Sequence, residues 1–138
     1  ITDSDNICLY LDSISKKETL FPKKNYWEIM NITSIANGLM ESVLERRMET
    51  IRSENEKSKS FINKQEIRIE RTIKWIENSW NNYNNDYLTM DQIAIACALD
   101  YTIFRFNNRW KSENRKLNEW FEKFIKKNFM KTTKPYEK

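Results

Sequence analysis

Histidine is absent from the 138 residues. That removes the commonest general base and the commonest metal ligand, and two cysteines, Cys8 and Cys97, cannot complete a zinc set. Histidine triads and His/Cys metal centres are excluded, and no metal is expected. Glycine occurs once (Gly38) and proline twice (Pro22 and Pro135), so the chain is poor in tight hairpin turns and offers few obstacles to helices. An all-α protein follows. No apolar run is long enough to span a bilayer, and no signal-peptide pattern opens the chain. With so little cysteine, a reducing, cytoplasmic setting is expected. Charge of one sign is also lacking in any long block: 24 basic and 20 acidic side chains are interspersed, for a net charge of +4. Nucleic acid is therefore not expected as a partner.

What is present is helical periodicity over a length that suits one domain. Five helical segments are predicted. The first follows Ser4 as N-cap, aligns Ile7, Tyr10, Leu11 and Ile14 in one stripe, and ends near Ser15. A polar connector, "SKKETLFPKK", carries Leu20 and Phe21 as anchors and reads as a pinned crossing. The second helix opens at "NYWE", where Asn25 and Glu28 have the spacing of a capping box. It lines up Ile29, Ile32, Ala36, Leu39, Met40, Val43 and Leu44 and weakens near Ser53 and Asn55. A third helix spaces Ile62, Glu66, Ile69, Ile73, Ile76 and Trp80 as a bundle seam, and "NNYNND" after it is turn chemistry.

The segment "LTMDQIAIACALDYTIFRF" carries the most information. Thr89 is placed as an N-cap with Gln92 three residues on, and Leu88 with Ile93 occupies the two positions of a hydrophobic staple. From Ile93 to Leu99 the chain is apolar on every side, which predicts a central helix surrounded by the others, with Cys97 a small buried hydrophobe. A fifth helix from about Ser112 presents Leu117, Trp120, Phe121, Phe124 and Ile125 toward that post. The tail "NFMKTTKPYEK" is polar, but Phe129 and Pro135 suit a partial fold-back.

In order and spacing, "DSDNICLYLD" followed by "LFP", then "LTMDQIAIACAL", then "LNEWFEKFIKKNFMKTTKP" resemble the C-terminal helical domain of the cytosolic glutathione transferase superfamily. Segments such as "YLDS" and "ANGLM" are similar to its bacterial type. The resemblance implies a bundle of about five helices around a buried central helix. It implies residues 1–14 as the last helix of a thioredoxin-like domain, 15–26 as linker and 27–138 as the helical domain. A complete member would carry an upstream thioredoxin-like unit with the activating Ser, Cys or Tyr and a cis-proline. The chain is accordingly expected to be the helical part of a longer product, with no catalytic residue of its own. Two positions depart from the family pattern: Gln92 stands where aspartate is usual, and Asn128 where a proline is common.

The resemblance also implies glutathione as co-substrate. Asp3 and Ser4 match the residues that hold its γ-glutamyl end: a carboxylate for the ammonium, a hydroxyl and a helix N-terminal amide for the carboxylate. A purely structural pairing, Ser4 as cap and Asp3 as first-turn charge, accounts for the same residues. Met40, Leu44 and Arg47, spaced by four and three, share a face suited to the acceptor pocket, and core packing with a surface cation is the plainer account. Gly38 costs about 1 kcal/mol in a helix interior, which asks for close helix contact or room for a ligand. Nothing beside Cys8 argues for a nucleophile.

The function implied is the substrate-binding and dimerisation part of a homodimeric transferase acting on a small hydrophobic electrophile. The alternative is a non-catalytic helical module that binds protein or RNA.

Overall fold

In the computed structural model, residues 1–79 and 87–136 are described. Among them every regular element is helical: α1 (Ser4–Ile14), a 3₁₀ turn (Lys23–Asn25), α2 (Tyr26–Thr50), α3 (Lys59–Asn78), α4 (Met90–Arg105), α5 (Trp110–Glu113), α6 (Arg115–Phe124) and α7 (Asn128–Thr132). The all-α expectation holds. Among the described residues, the elements beyond the expected five are short ones: the 3₁₀ turn before α2, and α5 and α7 on either side of the aromatic helix α6.

Helix α2 packs along both α3 and α4, and α6 closes over α3 and α4. Their shared core contains Ile32, Ala36, Leu39, Val43, Ile69, Ile73, Ile76, Ile95, Leu99, Leu117 and Phe121, all at most 2 % exposed. The predicted stripe of α2 is buried along Ile29, Ile32, Ala36, Leu39 and Val43, whereas Met40 is half-buried and Leu44 exposed. Trp80 and the Asn81 to Asp86 turn lie outside the described residues.

Several local expectations are corrected. Asp3, not Ser4, caps α1: its Oδ1 accepts from the amides of Asp5 at 3.0 Å and Asn6 at 3.4 Å, and Ser4 is already helical. Asn25 stands at the N-cap of α2 but makes no capping bond, because a 3₁₀ turn leads straight into the helix. Thr89 holds the N-cap of α4 in extended conformation, yet its hydroxyl makes no capping bond. Its neighbour Asp91 instead turns inward, fully buried, and Oδ1 accepts from the Gln92 amide at 3.0 Å. Burial pushes the Asp91 carboxyl up from the usual range, Glu28 adding to it, while the Gln92 amide opposes the rise. Leu88 and Ile93 do pack on one cluster, with Ala96, Phe124 and Met130, as a staple requires.

Cys97 is the main correction to the central helix. Ala94, Ile95, Ala96, Ala98 and Leu99 are buried, but Cys97 is exposed. It lines a concavity edged by Met40 of α2, Tyr101, and Met130 and Pro135 of the C-terminal fold-back. Partial desolvation there pushes its thiol up, with Asp100 and then Cys8 adding to the shift. The post is ringed on all sides but this one.

Nor does the predicted single helix from Ser112 form. Asn114 interrupts it, with Nδ2 donating to the Trp110 carbonyl at 2.9 Å. Helix α6 then starts at Arg115 under a cap from another element: Glu77 of α3 accepts from the Lys116 amide at 3.3 Å and the Leu117 amide at 2.7 Å. Leu117, Phe121 and Phe124 are buried behind this cap, and Trp120 and Ile125 half-buried. The tail folds back through α7, where Met130 is buried and Phe129 meets Phe124 edge to face, centroids 5.9 Å apart.

Gly38 has a looser reason than close packing. A Cβ there would meet only the end of the Arg68 side chain, at 3.8 Å, an ordinary van der Waals distance.

Candidate functional site

The N-terminal end of α1 lies beside the middle of α2. Asn37 fixes this contact, its Nδ2 donating to both carboxylate oxygens of Asp5 at 2.9 and 3.0 Å. Between the two helices opens a shallow cleft of ≈ 360 Å³ lined by Asp3, Ser4, Asn37, Met40, Glu41, Leu44 and Tyr101. Four residues singled out from the sequence, Asp3, Ser4, Met40 and Leu44, are thus brought together. Arg47 is not among the lining residues: it is exposed one turn beyond Leu44.

Asp3 is held at φ 72° and ψ 132°, the one described non-glycine residue with positive φ. Such backbone costs of order 1–3 kcal/mol and persists where surrounding contacts enforce it. Here the enforcing contacts are its two capping bonds and the Asp3 carbonyl's acceptance from the Ile7 amide at 3.0 Å. Both capping bonds fall on Oδ1. The cleft therefore joins two carboxylates, Asp3 and Glu41, to the positive end of an 11-residue helix, with an apolar wall of Met40 and Leu44 beside them. A zwitterion with an apolar appendage matches that division: ammonium to the acids, carboxylate to the helix start, appendage to the wall.

Sequence reasoning missed Asn37, Glu41 and Tyr101. The first two were within reach, since Asn37, Met40, Glu41 and Leu44 recur at three, four and seven and share one face. Tyr101 was not, because only the packing of α4 on α2 carries it there.

Two hollows adjoin the cleft and α1. One of ≈ 200 Å³ shares Met40 and Tyr101 with the cleft and reaches Cys97 and the fold-back at Thr133 and Pro135. The other, an open groove of ≈ 800 Å³, runs along α1 past Cys8, Leu11, Leu20 and Leu88. The connector that borders it is pinned as expected. Asp12 accepts from the Leu20 amide at 2.7 Å and the Thr19 hydroxyl at 2.6 Å, the Leu20 carbonyl accepts from Met90 at 3.1 Å, and Phe21 is buried. Among the described residues no cluster of acidic and sulfur ligands suits a metal ion, and no helix is long and apolar enough to cross a membrane.

No protein-family model and no curated protein matches the chain. Solved structures do. A glutathione transferase family member from Pseudomonas fluorescens Pf-5, with bound S-(propanoic acid)-glutathione, superposes at a TM-score of 0.93 with 23% identity. The match covers 99% of this chain and 72% of that one. A glutathione S-transferase from Methylobacillus flagellatus KT with glutathione bound gives 0.92 and 23%, over 99% of this chain and 70% of that one. One from Methylobacterium radiotolerans JCM 2831, in complex with glutathione sulfonate, gives 0.91 and 18%, over 100% and 68%. The fold is that of glutathione transferase structures. At these identities the likeness is one of fold, and the glutathione ligands are properties of those proteins. Within the glutathione transferase fold, this chain matches over its whole length, α1 and the C-terminal fold-back included.

Proposed function

We propose that this chain is the helical substrate-binding and dimerisation part of a glutathione transferase, which directs the glutathione thiolate at a small hydrophobic electrophile. The observation that carries the reading is the cleft itself: Asp3 and Ser4, at the start of α1, share it with Met40 and Leu44. Asp3, with Glu41 beside it, takes the γ-glutamyl ammonium. Ser4, through its hydroxyl and its own amide at the start of α1, takes the adjoining carboxylate, and Met40 and Leu44 face the electrophile. The glutathione-bound ligands of the structural neighbours support the choice of co-substrate.

In this reading residues 1–14 are the last helix of a thioredoxin-like domain, 15–26 the linker and 27–138 the helical domain. Thiolate formation belongs to a side chain of the thioredoxin-like unit. The exposed stripe of α1, with Ile7, Tyr10, Leu11 and Ile14 between 40% and 60% exposed, supports an additional layer packed on that helix. A cytoplasmic homodimer with Cys8 and Cys97 as free thiols fits the same assignment.

Retention of the full-length protein on immobilised glutathione tests the reading. Elution with free glutathione is expected, and the double change Asp3→Ala with Ser4→Ala should abolish retention while the helical circular-dichroism signal stays. A wild-type protein that flows through, or a double variant retained as well as its parent, refutes the assignment. Salt-sensitive RNA binding without retention would point to the non-catalytic module instead.

A further inference from the structure

No residue of α1 is buried in this chain, so packing alone does not fix where its first turn stands. Polar contacts must do so. Among the described residues, one side chain joins α1 to α2 by hydrogen bonds: Asn37, whose Nδ2 donates to Asp5 Oδ1 at 2.9 Å and to Oδ2 at 3.0 Å. The orientation of this amide is fixed, since an exchange of its ends would set an oxygen against the carboxylate. Both residues are half-buried, which makes a bond to a charged group stronger than it would be in open water. Asp5 is tied at its backbone as well: its amide donates to Asp3 Oδ1 at 3.0 Å, one of the bonds that hold Asp3 at positive φ. Asn37, Asp5 and Asp3 thus form one connected run from the middle of α2 to a residue that lines the cleft.

The use of an amide for this task has an electrostatic consequence. A lysine or arginine at position 37 could also hold Asp5, but it would bring a cation beside Asp3 and Glu41, where it would repel an incoming ammonium. An amide donates without adding charge. Among the described residues no ion pair involves Asp3, Asp5 or Glu41, so this end of the cleft keeps its negative charge. Resting on the glutathione reading above, we propose that Asn37 is a positioning residue for glutathione: its amide holds Asp5, and through it the start of α1, so that Asp3 and Ser4 meet the γ-glutamyl end in one fixed geometry. A first turn already in place spares the ligand the cost of ordering it.

Calorimetric titration of the full-length protein with glutathione tests this role. Asn37→Ala should weaken binding roughly tenfold, the scale of one hydrogen bond to a charged group, with the unfolding temperature little changed. Because Asn37 acts through Asp3, glutaryl-cysteinyl-glycine, which lacks the ammonium, should lose less affinity than glutathione does. Asn37→Asp sets two carboxylates together and should bind worst. The double change Asp5→Asn with Asn37→Asp reverses donor and acceptor at the same net charge, and should recover most of the affinity. Should Asn37→Ala lose its helical signal, Asp5→Ala breaks the same bonds and is read in its place. Unchanged affinity in the folded single variant, an equal loss for the analogue, or no recovery in the double variant overturns the role of Asn37 and leaves the glutathione reading standing. A wild-type protein that does not bind glutathione refutes that reading, and the role of Asn37 with it.

Discussion

Helices α1 and α4 both announce themselves by apolar residues, yet only one of them is in the core. In α4, Ile95, Ala96, Ala98 and Leu99 have no exposure, enclosed by α2 on one side and α6 on another. In α1 no residue is buried, and its whole stripe faces outward. Periodicity thus shows which face of a helix seeks a partner, and the rest of the fold decides whether one is supplied. The two helices also differ in how they start. Asp3 caps α1 with its own carboxylate at the cost of a positive φ, while α4 begins at a buried Thr89 and a buried Asp91.

The comparison can be broken at either end. Leu99→Ala, at the fully buried seam of α4, should cost about 2–5 kcal/mol in urea unfolding, the range for a large aliphatic side chain removed from a packed core. A smaller loss is expected from Glu77→Ala. It strips the carboxylate from the Lys116 and Leu117 amides and should cost roughly 0.5–2 kcal/mol, as other lost N-caps do, with α6 the first part to lose amide protection in hydrogen exchange. Gly38→Ala should run the other way, stabilising by up to about 1 kcal/mol, because the new Cβ meets only the mobile tip of Arg68. A measured loss there would mean that the α2–α3 contact is tighter than the 3.8 Å separation describes. The smallest effect belongs to Leu11→Ala on α1, which is 55% exposed and should stay within about 0.5 kcal/mol in this chain. If it cost as much as Leu99→Ala, α1 would be packed against something in solution, and the contrast between the two helices would vanish.

Much of the architecture was legible because it rests on local rules. The first four helices, the apolar seam of α3 through Ile69, Ile73 and Ile76, the pinned connector and a fold-back of the tail around Phe129 follow from spacing and turn chemistry. The caps were less legible. A hydroxyl or amide at the right position is a competent acceptor, but Asn25 and Thr89 are not used as such, while Asp3 and the distant Glu77 are. In the cleft, Asp3 and Ser4 were visible only through a resemblance. Met40, Leu44 and Arg47 were grouped by spacing on a face that the resemblance turned toward the pocket, and of the three only Arg47 does not line the cleft.

By itself, then, the sequence determined an all-helical chain, the stripe each helix presents and the apolar character of its middle segment, because these depend on residues within one or two turns of each other. Only the tertiary structure decided that Cys97 escapes burial, that Glu77 caps α6 from another helix, and that Tyr101 joins Asp3 and Met40 in one cleft. Each of these depends on groups far apart in the chain, brought together or kept apart by how the helices pack.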